Sequence, residues 1–243
     1  MNGRYRIAGK CIEIVSLYKE IHRYCYEYRC NDLPDFVVHI SQPDIDFERA
    51  RSDRRGKYNN SNGGKFSDSC LEILAVYRKI AEIMPTYDVF LFHGSAIAVD
   101  DKAYLFAAPS GTGKSTHVRL WREMLGERAV VVNDDKPLIQ ISDNGPQIFG
   151  TPWNGKHRLS TNICVPLKAV CLLERSETNW IRTVSTEEIY PMIMQQIYRP
   201  INLDSMKKTM CLLDDLCSRV CFYRLGCNMD PEAAHISYET MKG

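Results

Sequence analysis

The stretch A-P-S-G-T-G-K-S-T, residues 108–116, constrains the fold more than any other part of this chain. It follows the apolar run A-Y-L-F-A-A and precedes a run with helical spacing, so it joins a strand to a helix. A turn that only reverses the chain direction has no reason to carry glycine, lysine, serine and threonine in this order. The stretch therefore predicts an α/β protein in which this loop binds nucleotide phosphates.

The residue types in this loop have separate physical tasks. Gly111 and Gly113 let successive backbone N–H groups turn inward around a phosphate, since only residues with little side chain allow that approach. Lys114 would reach the β- and γ-phosphates, and the Ser115 hydroxyl would coordinate Mg²⁺. The predicted nucleotide-binding residues are Ser110, Gly111, Thr112, Gly113, Lys114, Ser115 and Thr116.

One position departs from the G-x-x-x-x-G-K-[ST] pattern, because Ala108 stands where that pattern has its first glycine. Alanine is the smallest replacement. It fits if its φ is negative, as expected for a residue at the end of a strand.

A pair of carboxylates follows the next apolar strand. N-D-D at 133–135 comes directly after A-V-V-V. A carboxylate at the end of a buried strand beside a phosphate loop can hold Mg²⁺, and an adjacent one can accept the proton of a hydroxyl. Asp134 and Asp135 therefore indicate a metal ligand and a general base; the alternative is a solvated turn leading into Lys136.

A histidine precedes the phosphate loop by one predicted hairpin. His93 lies in F-L-F-H-G-S, and a histidine followed by glycine there would supply a proton site beside the γ-phosphate or the acceptor. The alternative is a core histidine whose hydrogen bonds are satisfied.

The three segments H-G-S-A-I-A-V, A-P-S-G-T-G-K-S-T and V-V-V-N-D-D-K-P-L, in this order, resemble the catalytic domain of HPr kinase/phosphorylase. That family shares its P-loop architecture with the phosphoenolpyruvate carboxykinases, and the resemblance covers about residues 88–175. It implies that His93 is an active-site histidine and that ATP and Mg²⁺ are the cofactors. It also implies that one of the paired aspartates is the base that activates a protein serine, and we favour Asp135.

The segment that would face the acceptor differs from that family. Its glycine-rich Arg-Gly-Leu-Gly signature is absent, and G-T-P-W-N-G-K-H-R-L-S-T-N stands at 150–162 instead. Trp153 would offer a flat apolar surface there, and positive charge would stabilise the transferring phosphoryl group. The candidate charges are Lys156, His157 and Arg158, with Arg199 as a weaker candidate. The alternative is a basic loop whose tryptophan packs on the core.

The remaining pattern predicts two domains. Residues 88–243 would form a P-loop kinase domain of HPr kinase/phosphoenolpyruvate carboxykinase type with a mixed sheet, and residues 1–87 a small N-terminal α+β subdomain. In the subdomain we expect strands within 4–16 and at 35–41, a helix from Ser16 to about Arg29, a mobile loop over 48–69, and a helix begun by a capping box of Ser69 and Glu72. In the kinase domain we expect one strand over 89–99 and a second over 103–108, joined as a hairpin, and further strands at about 137–142 and 168–174. We also expect a helix from Ser115 to Leu125 that stops at Gly126, and a helix capped by Ser185.

Composition limits the partners. Lys and Arg number 31 against 30 for Asp and Glu, so no net field draws the chain to nucleic acid or to a membrane surface. No apolar run reaches the roughly 18 residues of a membrane span, and the N-terminus lacks a signal-peptide core. We therefore expect a cytoplasmic protein, whose ten scattered cysteines are reduced and mostly buried.

Together these features predict a kinase that transfers a phosphoryl group from ATP to a hydroxyl, most readily a serine of a protein or peptide. A small-molecule acceptor is one alternative. Another is a nucleotide-gated module that binds a peptide without phosphorylating it. Decarboxylation of the carboxykinase kind would need a further metal site, which the sequence does not show. The resemblance leaves the oligomeric state open.

Overall fold

The computed structural model describes residues 1–58 and 66–243, and the chain separates into two compact units, Met1–Ile83 and Met84–Gly243. The predicted boundary after residue 87 falls at the end of a 3₁₀ turn, Met84–Tyr87, which belongs to the second unit.

The described residues of the N-terminal unit form a three-stranded sheet and three α-helices. Strands β1 (Asn2–Ile7) and β2 (Lys10–Val15) form an antiparallel hairpin, and β3 (Phe36–His39) adds parallel to β2. The helices are α1 (Glu20–Tyr24), α2 (Gln42–Tyr58) and α3 (Asp68–Ile83), and a 3₁₀ turn, Tyr26–Tyr28, follows α1. The unit is therefore of the α+β class.

The helix predicted from Ser69 to about Met84 is confirmed as α3, but two predicted N-terminal caps in this unit are wrong. Ser16 does not cap a helix, because its hydroxyl donates to the Tyr18 carbonyl and α1 begins only at Glu20. Glu72 is fully buried and accepts hydrogen bonds from the backbone N–H groups of Leu17 and Tyr18, at 2.6 and 3.0 Å. Its carboxylate therefore satisfies two donors far away in sequence instead of closing a capping box.

The loop predicted over 48–69 is also wrong for its first part, since residues up to 58 belong to α2. Ion pairs fasten this polar helix to α3: Arg78 contacts Glu48 at 2.6 Å and Lys79 contacts Asp44 at 2.8 Å. Pairing across two helices stabilises a segment that has little apolar periodicity of its own. Residues 59–65 of the predicted loop lie outside the described residues.

The C-terminal unit is a mixed α/β structure with a nine-stranded sheet. Its strands are β4 (Val89–Leu91), β5 (Ser95–Val99), β6 (Lys102–Ala107), β7 (Ala129–Asn133), β8 (Leu138–Ser142), β9 (Gly145–Phe149), β10 (Cys164–Arg175), β11 (Trp180–Thr183) and β12 (Cys221–Cys227). Its helices are α4 (Lys114–Leu125), α5 (Thr186–Ile193), α6 (Leu203–Arg219) and α7 (Pro231–Met241). The sheet order is β4-β8-β9-β10-β6-β5-β7, and β12 pairs with β10 and with β11.

Several strands of this sheet end at the same edge because they run in the same direction. Strands β6 and β12 both run parallel to β10, and β7, like β6, is antiparallel to β5. The carboxyl ends of β6, β7, β10 and β12 therefore meet at the same edge, which is where open α/β sheets place their ligands. The start of β5 lies there too, since Ser95 is opposite Phe106 and Ala96 is opposite Asn133.

Both faces of the sheet are covered, so the central strands are apolar on both sides. Alternate residues of β6 belong to different cores: Leu105 and Ala107 lie in one, Tyr104 and Phe106 in the other. The first core includes Ile189 of α5 and Leu213 of α6. The second includes Trp121 of α4 and Ala234 of α7, and Trp121 is among the largest fully buried side chains.

Several predicted elements are confirmed, and others were not foreseen. The hairpin of β5 and β6, helix α4 ending at Gly126, and the Ser185 cap of α5 are all present. The apolar run 89–99 forms two strands instead of one, and β9, β11 and β12 were not predicted. Among the described residues, no helix is long and apolar enough to cross a membrane.

Close backbone contact makes Gly150 sensitive to substitution. A Cβ at this position would lie 1.8 Å from the Thr161 carbonyl oxygen and 2.7 Å from that of Val132. We expect Gly150→Ala to lower the free energy of unfolding by about 3 kcal/mol or more, because both neighbours are backbone atoms that must shift. Urea denaturation measures the loss.

Gly145→Ala is the matched control. Gly145 has φ +101° and open space around its Cβ position, so only backbone strain opposes alanine, at about 1–2 kcal/mol. Equal losses in the two variants would contradict the close-contact explanation.

Candidate active site

The phosphate loop connects β6 to α4 at the ligand edge of the sheet. Gly111 has φ +82° and Gly113 has φ +122°, values that L-residues with a side chain rarely adopt. A Cβ at either position would meet nothing within 4 Å, so backbone conformation and not crowding requires glycine here. The neighbouring hydroxyls of Ser110 and Ser115 are exposed, and those of Thr112 and Thr116 are partly exposed.

Ala108 fits the loop as the sequence analysis expected. It is buried and is not among the residues with positive φ, so it keeps the backbone conformation of the strand end. Its carbonyl accepts a hydrogen bond of 2.7 Å from the Lys114 ammonium group, which therefore folds back across the loop. Burial lowers the pKa of Lys114, and the negative charge of Asp135 partly offsets this effect. Lys114 and Asp135 thus lie within electrostatic reach of each other.

An arginine that the sequence analysis did not single out contacts the same loop. The Arg175 guanidinium, at the carboxyl end of β10, donates a 2.7 Å hydrogen bond to the Gly111 carbonyl. This bond fixes the orientation of the peptide unit between Gly111 and Thr112. It therefore fixes the direction of the Thr112 N–H group. Arg175 is exposed, so its guanidinium is accessible at the loop.

The acidic turn, residues 133–136, is held by the fully buried amide of Asn133. Its oxygen accepts from the backbone N–H groups of Asp135, at 2.9 Å, and Lys136, at 2.6 Å. Its nitrogen donates to the carbonyl and the hydroxyl of Thr151, both at 3.0 Å, and to the Trp153 carbonyl at 3.3 Å. Asn133 therefore joins the acidic turn to the 150–162 loop.

Asp134 is not a solvated turn residue, since only 6% of its surface is exposed. One carboxylate oxygen, Oδ1, accepts the N–H group of Gly155. The other, Oδ2, is buried and has no hydrogen-bond partner among the described residues. A Cβ at Gly155 would lie 3.2 Å from this Oδ2, so the glycine lets the 150–162 loop close over the carboxylate. A buried carboxylate oxygen without a hydrogen-bond partner is a candidate ligand for a cation.

Asp135 is paired with two basic side chains. His93 Nε2 lies 3.1 Å from Oδ1, and the Lys136 ammonium group contacts Oδ2. Burial raises the pKa of Asp135, but the hydrogen bond from His93 and the charge of Lys136 outweigh it and lower the pKa to about 2. Asp135 is therefore ionised at every physiological pH.

His93 is not a core histidine, because its side chain is 39% exposed. It lies between β4 and β5, where its backbone N–H donates to the Gln196 carbonyl at 2.7 Å and the next residue, Gly94, donates to the Asp135 carbonyl at 3.0 Å. These two bonds hold the histidine beside the acidic turn. Gly94 is required by close packing, since a Cβ there would lie 2.9 Å from the Phe106 carbonyl oxygen.

The predicted acceptor-side residues differ in their placement. Trp153 is only 4% exposed, so it packs in the interior and offers no flat surface to a substrate. Lys156, His157 and Arg158 are exposed in the stretch that directly follows Gly155, and they therefore lie in the part of the loop that closes over Asp134. Arg158 has φ +52°.

Arg199 follows a segment that pairs with the chain around His93. The bridge between Phe92 and Ile197 is antiparallel, which puts Gln196 opposite His93. Arg199 continues in the opposite direction, so it lies farther from His93 than Gln196 does. The structure thus brings the phosphate loop, His93 and both aspartates together, while the backbone at Arg199 runs away from His93.

Sequence signals for the unforeseen residues are uneven. Asn133 is part of the N-D-D motif, and an asparagine before a turn commonly forms hydrogen bonds with the turn backbone. Its role in holding the acidic turn could therefore have been predicted from the sequence. Gly155 and Arg175 carried no local signal, because their contacts with Asp134 and Gly111 depend on how distant segments come together.

Comparison with known proteins gives a weak structural likeness. No family model matches the chain, and no curated protein matches it. The solved structure of the HPr(Ser) kinase/phosphatase from Coxiella burnetii is similar with 12% sequence identity and a TM-score of 0.34, over 63% of this chain and 99% of that one. A likeness at this TM-score does not establish a common fold.

The lowered pKa of Asp135 predicts how stability depends on pH. The ordinary value is 3.8 and the folded value is about 2, so the stabilisation is present above about pH 4 and is lost as pH falls through 2. After allowance for solvent screening, we expect the free energy of unfolding of the parent to fall by about 1–2 kcal/mol more over that interval than that of Asp135→Asn. Urea unfolding at a series of pH values measures the difference.

The control is Asp143→Asn, which removes an exposed carboxylate from the turn between β8 and β9 and so matches the change in net charge. Parallel pH curves for the parent and Asp135→Asn would contradict the pairing of Asp135 with His93 and Lys136.

Proposed function

We propose that the chain is an ATP- and Mg²⁺-dependent kinase of the HPr-kinase-like kind, which transfers a phosphoryl group to a hydroxyl of a protein or peptide serine. The observation that carries the proposal is the meeting of the phosphate loop with an ionised, histidine-paired aspartate at one edge of the sheet. A loop that only bound nucleotide would gain nothing from Asp135 and His93 beside Lys114.

The residues at this edge suit a magnesium ion. Asp134 Oδ2 is a buried acceptor that lacks a partner, and the Ser115 hydroxyl is exposed at the start of α4. Within residues 1–58 and 66–243, no three His, Cys, Asp or Glu side chains form a metal-binding group. One carboxylate, one hydroxyl and phosphate oxygens are a typical magnesium environment, since Mg²⁺ often takes one or two carboxylates plus the substrate phosphates. When bound, the ion would neutralise charge on the phosphates.

The side chains divide the remaining work. The phosphate loop binds the triphosphate through its backbone N–H groups, and Lys114 adds a positive charge. Asp135 accepts the proton of the attacking hydroxyl. His93 donates from Nε2 to this carboxylate and so holds it in place.

Lysine and aspartate variants separate binding from chemistry. We expect Lys114→Ala to abolish both phosphorylation and most ATP affinity, because it removes the charge at the phosphates. Asp135→Asn should keep ATP affinity but lower phosphoryl transfer by about 10²-fold or more, since general-base catalysis contributes that much. Labelled ATP, added with Mg²⁺ to a lysate of the source cell, reports transfer, and isothermal titration reports binding.

Lys102→Ala is the matched control for the lysine, because Lys102 is exposed at the opposite end of β6. A protein that binds ATP tightly but labels no protein, peptide or small molecule would overturn the kinase in favour of a nucleotide-gated binding module. Full phosphoryl-transfer activity of Asp135→Asn would show that Asp135 is not the general base.

Arg175 provides a test of the loop geometry itself. Arg175→Gln loses the charged hydrogen bond to the Gly111 carbonyl, so we expect ATP affinity to fall by about tenfold while the fold is unaffected. The control is Arg128→Gln, whose guanidinium pairs with Asp100 in the turn at the other end of β6. Unchanged affinity in Arg175→Gln would show that the loop keeps its conformation without this bond.

A further inference from the structure

The N-terminal unit brings two cysteine thiols into contact. Cys11, on β2, and Cys30, after the 3₁₀ turn, have their sulfur atoms 3.3 Å apart. They are 19 positions apart in sequence, so this contact is made by the fold and not by local chain geometry. A disulfide needs about 2.05 Å between sulfurs, which leaves only a small side-chain movement.

The two thiols differ in access to solvent. Cys11 is 1% exposed, whereas Cys30 is partly exposed. Cys30 also lines a cleft of about 310 Å³, together with Arg4 and Glu13 on the two strands of the hairpin. Cys30 is therefore the thiol of the pair that a small molecule in the cleft can reach, because Cys11 is buried.

We propose that Cys30 and Cys11 are an oxidisable dithiol, in which a peroxide that enters the cleft oxidises Cys30 and Cys11 then closes a disulfide. This inference does not depend on the proposed kinase activity. A metal site is the less suitable interpretation, since no third ligating side chain joins the two thiols among the described residues.

The chemistry balances in two steps. The Cys30 thiolate attacks one peroxide oxygen, the O–O bond breaks, and Cys30 becomes a sulfenic acid while the leaving hydroxide takes up a proton to give water. The Cys11 sulfur then attacks the Cys30 sulfur, the S–O bond breaks, and the proton of Cys11 leaves with the hydroxide as a second water. Overall the peroxide gains the two electrons that the thiols lose.

The order of the two roles follows from their surroundings. Burial and the hydrogen bond to Cys30 raise the pKa of Cys11 to about 11, so Cys11 stays a thiol at neutral pH and does not react with peroxide first. Cys11 can nevertheless attack the sulfenic acid of Cys30 in the second step, because that group forms in direct contact with the Cys11 sulfur.

The surrounding backbone holds the pair in place. Cys30 donates its N–H to the Arg4 carbonyl at 3.1 Å, and Cys11 exchanges two 2.8 Å hydrogen bonds with Asp35. The segment from Cys30 to Asp35 is thus fastened to both strands of the hairpin. A disulfide would make that attachment covalent without rearranging the sheet.

Peptide mapping of the full-length protein tests the proposal. We expect one equivalent of hydrogen peroxide, followed by alkylation, to give a linked Cys11–Cys30 peptide and a loss of two free thiols from ten, which a phosphine reductant restores. Cys70, exposed in the same unit, is the internal control and should stay alkylated. Absence of the linked peptide, or oxidation of Cys70 to the same extent, would overturn the proposal.

Single variants distinguish the two roles. In Cys11→Ser, Cys30 should stop at the sulfenic acid and react with dimedone. In Cys30→Ser, Cys11 should stay free at the same peroxide dose. Circular dichroism checks that each variant folds. If a variant does not fold, the peptide map of the oxidised parent protein tests the proposal by itself. A disulfide between Cys30 and any other cysteine of the parent would contradict the pairing.

Discussion

The candidate site depends on one buried amide. Asn133 uses its donor and acceptor groups in five hydrogen bonds, to the acidic turn on one side and to Thr151 and Trp153 on the other. In a dry interior, each of these bonds costs about 1–3 kcal/mol if it is left unmade, so the turn has one favourable arrangement. That arrangement directs Asp135 toward His93 and seats Asp134 under Gly155.

The sheet then decides which other segments meet this turn. Because β5 lies between β6 and β7, a single strand aligns the phosphate loop with the acidic turn: Ser95 is opposite Phe106, and its neighbour Ala96 is opposite Asn133. The Ser95 hydroxyl also donates to the Asp134 carbonyl at 2.8 Å. A one-residue slip of β5 would exchange its two faces and separate these contacts.

The sequence was informative wherever local chemistry decided the structure. The glycines of the phosphate loop, the Ser185 cap and the β5–β6 hairpin each carry their signal within a few residues. The local sequence did not predict the separation of β4 from β5 around Gly94, because both halves of 89–99 are apolar. It arises because β4 pairs with β8 while β5 pairs with β6 and β7, which no short window reports.

The same limit applies to charges. The sequence predicted a capping role for Glu72 and a loop over 48–69, since a single sequence shows a charge but not its partner. Glu72 is in fact fully buried against two backbone donors, and the α2 segment is helical because Arg78 and Lys79 pair with its acids. For Trp153 the reverse occurred: an aromatic side chain in a polar loop turned inward, where its carbonyl meets Asn133.

The proposed base raises a question of proton affinity, since a carboxylate with a pKa of about 2 is always ionised but binds a proton weakly. Its low pKa has a local cause, namely the pairing with His93 and Lys136. Movement of Lys136 away from this carboxylate would let the proton affinity of Asp135 rise toward its ordinary value, so that Asp135 would take the proton late in the reaction. Phosphoryl transfer through a loose transition state tolerates this order, because the hydroxyl proton need not leave until bond formation is well advanced.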